Sequence, residues 1–399
     1  MTIQIYDTAQ LAIVPFEVGP IVRMYVCGIT PYDATHVGHA ATFLTYDLLI
    51  RRLEELGHDV RMVRNVTDVD DSILPKAREL GVPFLELAEA ELARFRADMD
   101  ALALRPAIAE PLATESIDGM IDMVAKLIET GHAYEAHGTT YFDVKSFPRY
   151  GDLSRYSRDE MIRIARESGG NPDDPHRRDP LDFVLWQPSL PDEPTWAAPF
   201  GTGRPGWHIE CSVMSMNELH TSTLDLHGGG TDLIFPHHEC EIAQSESCTH
   251  EPFSRYWVHS AMVRYEGEKM SKSLGNLVFV SDLLKIADPR AIRLALMRHH
   301  YRTGFEWHDT DLEEGTALLH RLLAAAECAG GTDPRPFAER VRAAIDDDLD
   351  APKALEALDD LASAVLSGGT EASAPAALRE LGSLLGIDLT RPLESGTGG

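Results

Sequence analysis

The chain has 399 residues, 44% of them hydrophobic and 25% charged, with a formal net charge of −28. This composition is ordinary for a globular protein of two or three domains, and no run of about 18 apolar residues could span a membrane. The polar N-terminus does not resemble a signal peptide, and the five cysteines are widely spaced rather than arranged as a disulfide framework. We therefore expect a cytoplasmic protein.

The first 106 residues are predicted to form one half of a doubly wound parallel sheet. Residues 22–27 have the pattern of a buried strand, residues 40–56 that of a helix ending before Gly57, and residues 59–66 that of a second strand. A strand, a helix and a strand of this spacing form a right-handed parallel crossover. The pattern predicts an α/β fold of the Rossmann type, which binds nucleotides.

Residues 107–200 are predicted to be an insertion between the two halves of the sheet. An apolar stripe over residues 117–128 predicts a helix, and residues 133–144 predict a hairpin. Residues 145–205 are rich in Pro, Asp and Arg. We expect loops there.

The second half of the catalytic domain is predicted over residues 201–285, with strands near 224–227 and 256–260. Residues 286–399 have the leucine periodicity of a C-terminal helical bundle. Within residues 301–399, 8 Lys and Arg stand against 19 Asp and Glu. Because nucleic acids need a basic face, this region predicts no nucleic-acid partner.

Two distant motifs predict an ATP site. His36 and His39 flank Gly38 where the first helix begins, so backbone N–H groups and both imidazoles could stabilise a phosphate. Lys269 and Lys272 could neutralise a departing pyrophosphate. Taken alone, the histidine motif could be two surface histidines, and the lysine motif could be a solvated surface turn. Their joint occurrence favours the catalytic interpretation.

A glycine run at residues 228–230 precedes Thr231 and Asp232. Glycines permit close approach of a nucleotide to the backbone, and Asp232 could accept a hydrogen bond from a ribose hydroxyl. A plain turn explains the run equally well.

Cysteines and histidines follow the predicted strands without the short spacing of a structural zinc site. Cys27, Cys211, His237, His238 and Glu241 could nevertheless converge at the carboxyl edge of the sheet. Thiolates and imidazoles suit zinc. Buried cysteines beside a helical His/Glu cluster are the alternative.

These motifs resemble the cysteine-activating class I enzymes, whose branches are cysteinyl-tRNA synthetase and the cysteine ligase of mycothiol biosynthesis. The resemblance extends from about residue 3 to about residue 365 and rests on MYVCGITPYD (24–33), HVGH (36–39), NVTDVDD (65–71), GWHIECS (206–212), FPHHE (235–239) and KMSKS (269–273). Residues 28–36 and 40–42 are similar to the ligase. Residues 167–172 (ESGGNP) depart from its insertion signature, and Glu241 is similar to a zinc ligand of the synthetase.

The resemblance implies a class I aminoacyl-tRNA synthetase-like fold and an ATP-dependent ligase. It would form cysteinyl-AMP and transfer the cysteinyl group to the amine of glucosaminyl-inositol. A cysteinyl-tRNA synthetase, or a paralogue with another amine acceptor, is the alternative. The expected cofactors are one Zn²⁺ per chain and Mg²⁺ with ATP. The expected partners are ATP, L-cysteine and glucosaminyl-inositol, with no membrane and no oligomerisation beyond a monomer.

The resemblance also implies roles for individual residues. The catalytic residues are His36, His39, Lys269 and Lys272. The zinc ligands are Cys27, Cys211, His237 and Glu241. The substrate- and adenylate-binding residues are Cys27, Gly28, Ile29, Thr30, Thr42, Asn65, Val66, Thr67, Trp207, Gly230, Thr231, Asp232 and Val263.

Overall fold

A parallel strand pair opens the fold after an N-terminal hairpin. The computed structural model describes residues 2–32, 34–270 and 275–393, with only the backbone at 268–269. Its first elements are β1 (Gln4–Asp7), β2 (Ala12–Pro15), β3 (Ile21–Ile29), α1 (Val37–Glu55), β4 (Asp59–Val66), α2 (Ile73–Leu80) and α3 (Phe84–Ala101). β3 and β4 pair in parallel across α1, so the predicted crossover is confirmed. β3 continues past its predicted end because Ile29 resumes pairing with Val66 after an irregularity in register.

The insertion carries a second, antiparallel sheet. Its elements are α4 (Ile117–Glu129), β5 (Ala133–Ala136), β6 (Thr139–Phe142), α5 (Arg158–Glu167), β7 (Phe183–Gln187), β8 (Trp196–Ala198) and β9 (Gly201–Pro205). The strand order is β5-β6-β7-β9-β8. Residues 145–205 are rich in loops as expected, but the expectation missed α5, β7, β8 and β9. These strands have only three to five residues each, too few to show a hydrophobic period, and Pro and Gly surround them.

The second half of the parallel sheet follows the insertion. It consists of α6 (Trp207–Leu219), β10 (Leu224–Gly230), α7 (Glu239–Thr249) and β11 (Ser254–Ser260). The strands of the central sheet lie in the order β11-β10-β3-β4, and all the pairs are parallel. The predicted doubly wound sheet is thereby confirmed. Its carboxyl edge gathers the ends of β3 and β10, which are distant in sequence.

A small three-stranded sheet and a helical region complete the chain. The elements are β12 (Val263–Tyr265), β13 (Glu268–Lys269), α8 (Val280–Leu283), α9 (Pro289–Met297), β14 (Phe305–Glu306), α10 (Asp309–Ala326), α11 (Arg335–Asp346), α12 (Ala351–Leu366) and α13 (Ala374–Leu384). Asp350 caps α12 by accepting a hydrogen bond from the Lys353 backbone N–H at 3.1 Å. Among the helices of the described residues, none has both the length and the apolar character needed to cross a bilayer.

A buried ion pair joins the catalytic sheet to the C-terminal helices. Asp47 of α1 pairs with Arg293 of α9 and with Arg51, whose Nε lies 2.7 Å from the carboxylate. Burial alone would raise the pKa of Asp47, but the charges of Arg293 and Arg51 hold it below its usual value. Gly386 is required beside this pair because a Cβ there would lie 2.3 Å from the Arg293 guanidinium carbon.

Candidate functional site

Four of the predicted ligands meet at the carboxyl edge of the central sheet. Cys27 comes from β3, Cys211 from α6, His237 from the turn before α7, and Glu241 from α7. The two Sγ atoms are 4.0 Å apart, and His237 Nε2 lies 3.0 Å from Glu241 Oε1. One ligand atom from each residue lies within 4.8 Å of the others, and all four residues are buried. This arrangement can hold one metal ion.

A second group overlaps the first and includes His227, which the sequence analysis did not select. His227 and His238 join Cys27 and Glu241 within the same 4.8 Å limit. His238 Nε2 is 3.3 Å from Cys27 Sγ, and His227 Nε2 is 2.8 Å from Glu241 Oε2. His227 lies in β10, whose seven residues are all buried. A histidine inside a wholly buried strand needs a polar partner, and that signal could have identified it.

Burial sets the protonation of this cluster. It raises the pKa of the Cys27 and Cys211 thiols and of the Glu241 carboxyl, and it lowers the pKa of His237 and His238. The imidazoles are therefore neutral and keep lone pairs for a cation. Two thiols, an imidazole and a carboxylate form a donor set that fits zinc in its usual tetrahedral geometry. A bound cation would favour the thiolate forms.

Outer hydrogen bonds fix the histidines. His238 Nδ1 lies 2.8 Å from His259 Nε2, and His259 Nδ1 lies 2.7 Å from Thr8 Oγ1. On the other side, His208 Nδ1 is 2.9 Å from His237 Nδ1. Burial, followed by the charge of Arg177, lowers the pKa of His208 to about 3, so this ring is neutral as well. Such partners orient the rings of metal ligands.

Trp207 covers the cluster on the side of the insertion. It is the first residue of α6, and its ring stacks on His237 with centroids 4.1 Å apart and an interplanar angle of 19°. The residue predicted to line the amino-acid pocket thus lies directly against a predicted metal ligand.

Several residues that were predicted to bind substrate form a network of hydrogen bonds beside Cys27. The Gly28 N–H donates to Asn65 Oδ1 at 2.7 Å, Asn65 Nδ2 donates to Thr67 Oγ1 at 3.1 Å, and Thr67 Oγ1 donates to Glu210 Oε2 at 2.9 Å. At Gly28 a Cβ would lie 1.9 Å from the Asn65 carbonyl oxygen, so only glycine fits. Asn65 and Thr67 therefore hold the two strand ends together.

The hydrogen-bonded network beside Cys27 continues through Ile29, Thr30 and Val66. The Thr67 N–H donates to the Ile29 carbonyl at 2.9 Å, and Thr30 Oγ1 donates to Asp70 Oδ2 at 3.2 Å. Val66 is 1% exposed, so its side chain belongs to the core. Only its backbone can face a ligand.

The two histidines of the first motif lie together at the start of α1. Their rings stack with centroids 3.9 Å apart, and His36 Nδ1 accepts a hydrogen bond from the Gly38 N–H at 3.1 Å. A Cβ on Gly38 would lie 2.9 Å from the His36 ring, so glycine lets this imidazole fold back over the helix end. Thr42 is one turn further along α1 and donates to the Gly38 carbonyl at 3.1 Å.

The glycine run has a structural use that the sequence analysis did not foresee. A Cβ at Gly228 would lie 2.3 Å from the Tyr46 ring, and one at Gly229 would lie 2.8 Å from Leu233. These two glycines therefore admit side chains of the protein itself. Gly230 ends β10, and Thr231 and Asp232 begin the helical turn that follows it.

The lysine motif is connected to the histidine motif through the backbone. Lys269 belongs to β13 and pairs with Arg264, next to Val263 in β12. Lys272 lies outside the described residues. Where the described chain resumes, the Val37 N–H donates to the Val278 carbonyl at 2.9 Å and the Val280 N–H to the Thr35 carbonyl at 3.0 Å. The segment after the lysines is thus fixed to the start of α1.

Comparison with protein families finds one matching model. Residues 15–317 match the family described as tRNA synthetases class I (C) catalytic domain. This range covers more than half of the chain and includes every predicted site residue.

Named relatives match nearly the whole chain. It is 45% identical over 390 residues to "L-cysteine:1D-myo-inositol 2-amino-2-deoxy-alpha-D-glucopyranoside ligase" of Streptosporangium roseum, covering 97% of this chain and 96% of that protein. Proteins of the same name from Thermobifida fusca (47% over 393 residues, covering 98% and 95%) and Nocardia farcinica (46% over 395 residues, covering 97% and 96%) are similarly close.

Solved structures share the fold. The Mycobacterium tuberculosis methionyl-tRNA synthetase in complex with methionyl-adenylate gives a TM-score of 0.63 at 18% identity, covering 92% of this chain and 89% of that one. The ternary complex of Agrobacterium radiobacter K84 agnB2 LeuRS with tRNA and LeuAMS gives 0.64 at 11% identity, covering 95% and 87%. At these identities the likeness concerns the fold alone.

Proposed function

The chain belongs to the class I (C) synthetase catalytic-domain family and, within it, to the family of the L-cysteine:1D-myo-inositol 2-amino-2-deoxy-alpha-D-glucopyranoside ligases, and from this premise we propose its reaction. It activates L-cysteine with ATP and transfers the cysteinyl group to the amine of glucosaminyl-inositol. The cysteine carboxylate attacks the α-phosphorus, and pyrophosphate leaves. The acceptor amine then attacks the cysteinyl carbonyl, loses a proton and displaces AMP, which leaves an amide.

The observation that carries the proposal is the convergence of Cys27, Cys211, His237 and Glu241 within 4.8 Å. Zn²⁺ held by these residues would supply a soft site for the substrate thiol, and serine cannot match a thiol as a soft donor. The side chains are buried and the His237 imidazole is neutral. The site is therefore organised for a cation before any substrate arrives.

The residues of the two sequence motifs perform the activation step. His36 and His39 lie at the start of α1, where the helix N-terminus favours a phosphate and the imidazoles can stabilise charge that develops on it. Lys269 and Lys272 neutralise the departing pyrophosphate, which Mg²⁺ accompanies. The backbone connection between Val37 and Val278 supports this assignment because it joins the two motifs.

The charge distribution supports a small acceptor over a tRNA. Residues 301–399 carry 8 basic and 19 acidic side chains, so they do not provide the basic face that a tRNA-binding region needs. An aminosugar has no phosphate backbone and requires no such face.

The test is mass spectrometry of the product after incubation with ATP, Mg²⁺ and cysteine. Glucosaminyl-inositol and tRNA are offered in separate reactions. We expect a cysteinyl-aminosugar amide together with AMP. Charged tRNA without the amide would make the chain a synthetase. Activation of cysteine with neither product would indicate another amine acceptor.

A further inference from the structure

A polar cavity lies between the insertion and the N-terminal ends of α6 and α7. Its volume is about 370 Å³, within the range of about 300–1,000 Å³ that is usual for small-molecule sites. Trp207 and His208 form part of its wall. These residues also contact His237, by ring stacking and through the 2.9 Å Nδ1–Nδ1 approach. The cavity and the metal cluster therefore share a wall.

Arg177 lines this cavity with a guanidinium that the protein holds in place. Its side chain is 9% exposed, and Nη1 donates to the Asp182 carbonyl at 2.7 Å. Nε is buried, has no hydrogen-bond partner among the described residues and lies 3.9 Å from Asp174 Oδ2. The cationic group is therefore fixed at the cavity wall beside a carboxylate.

The other walls suit a polyhydroxylated ligand. Tyr141 presents an aromatic ring, and Asp174, Asn171 and Gln187 present carboxylate or amide groups. Asp174 is held by the Tyr141 hydroxyl at 2.6 Å, and the guanidinium of Arg177 lies over the Tyr141 ring. Aromatic faces and side chains that both donate and accept hydrogen bonds match a sugar or polyol.

The charges favour a neutral or cationic acceptor. Asp71 and Asp174 both line the cavity. Asp71 pairs with Arg204, and Asp174 Oδ2 lies 3.9 Å from Arg177 Nε. The lining described by the structure therefore has no surplus of basic groups with which to bind the phosphates of a nucleic-acid end. The two carboxylates are compatible with hydroxyl groups and with an ammonium group.

We infer that this cavity binds the acceptor of the ligase reaction, with Arg177 and the 168–171 turn contacting the polyol part of an aminosugar and Trp207 marking the end where the amine reacts. The inference rests on the proposed function and adds the location and the contacts of the second substrate.

The experiment separates the two half-reactions. Cysteine-dependent ATP–pyrophosphate exchange, without acceptor, reports activation. Amide formation at varied glucosaminyl-inositol reports acceptor binding. Arg177→Lys removes the planar guanidinium from the cavity wall and retains the charge. Ser168→Trp places a large ring at an exposed position on the cavity wall. Arg163→Lys and Arg163→Trp are matched controls, because Arg163 lies on α5 with its side chain 56% exposed.

Arg177→Lys should raise the acceptor KM by about tenfold, the effect of losing a buried polar contact. Ser168→Trp should also raise it, because the ring takes up part of the cavity. Both variants should leave exchange within about twofold of wild type. The controls should change neither activity. If Arg177→Lys also lowers exchange, the fold of that variant is disturbed. The acceptor KM of Ser168→Trp then tests whether the cavity binds the acceptor.

A wild-type acceptor KM in Ser168→Trp would refute the cavity assignment while the proposed function stands. No amide from the wild-type protein would refute the proposed acceptor itself, together with the ligand class inferred for the cavity.

Discussion

The metal cluster and the acceptor cavity share a wall but are built differently. The cluster consists of buried side chains from β3, α6, α7 and the turn before α7, held by outer partners such as His259. The cavity is lined largely by short strands and a turn of the insertion, where residues 168–171 are exposed. Buried polar networks tolerate little change, whereas exposed loops tolerate much. We therefore propose that the sheet fixes the chemistry of the first substrate and that the insertion determines the choice of the second.

Loss of a metal ligand is the strongest test of this contrast. Cys211→Ala should lose bound zinc and lower kcat/KM for cysteine in the exchange reaction by more than about 10³-fold, since outer partners alone are worth about 10- to 100-fold. Metal analysis and pyrophosphate exchange measure the two effects. Cys328→Ala is the control, since this thiol donates to the Ala324 carbonyl at 3.5 Å and is not among the predicted ligands. Retained zinc with wild-type activation would favour the second group of ligands, which contains His227 and His238.

Substitution of a predicted ATP-site residue should affect cysteine activation without affecting the metal. Lys272→Ala should lower the rate of cysteine activation by about 10²-fold, since a lost transition-state donor costs about that much, and leave zinc bound. Lys285→Ala removes an exposed lysine as a control. Activation at the wild-type rate would remove Lys272 from the catalytic residues.

The sequence predicted the cluster better than the insertion for a physical reason. Strand β4 was predicted at residues 59–66 and observed as Asp59–Val66, because eight residues are enough for an apolar alternation to show in the sequence. Cys27 lies in a strand of similar length, and the other three ligands lie in or beside α6 and α7. The predicted loops at 145–205 contain α5, β7, β8 and β9, whose strands are too short for a period.

Other residues were missed because their roles depend on tertiary contacts. The polar partner of His227 is Glu241, 14 positions away, and the role proposed for Arg177 depends on the cavity that it lines. The glycine run illustrates the same limit, since Tyr46 and not a nucleotide explains Gly228.

Substitution of His259, the hydrogen-bond partner of His238, should have an intermediate effect on zinc affinity. His259→Gln removes the ring nitrogen that lies 2.8 Å from His238 Nδ1. We expect zinc affinity to fall by about tenfold, the lower end for such partners, because His238 is in contact with Cys27 and outside the first ligand group. Competition with a chelator measures the affinity. His320→Gln, at an exposed position of α10, is the control. An unchanged affinity would mean that the His238–His259–Thr8 chain does not support the metal.

The smallest effect is expected on the cavity side. Tyr141→Phe removes the hydroxyl that donates to Asp174 at 2.6 Å and keeps the ring under Arg177. A single hydrogen bond of about 0.5–1.5 kcal/mol corresponds to about a 2- to 12-fold rise in the acceptor KM. Pyrophosphate exchange should not change. Tyr156→Phe is the matched control, since this ring packs on Phe235 and does not line the cavity. If Tyr141→Phe instead weakened cysteine activation, the two regions would be coupled through Trp207, and the division of labour between sheet and insertion would be wrong.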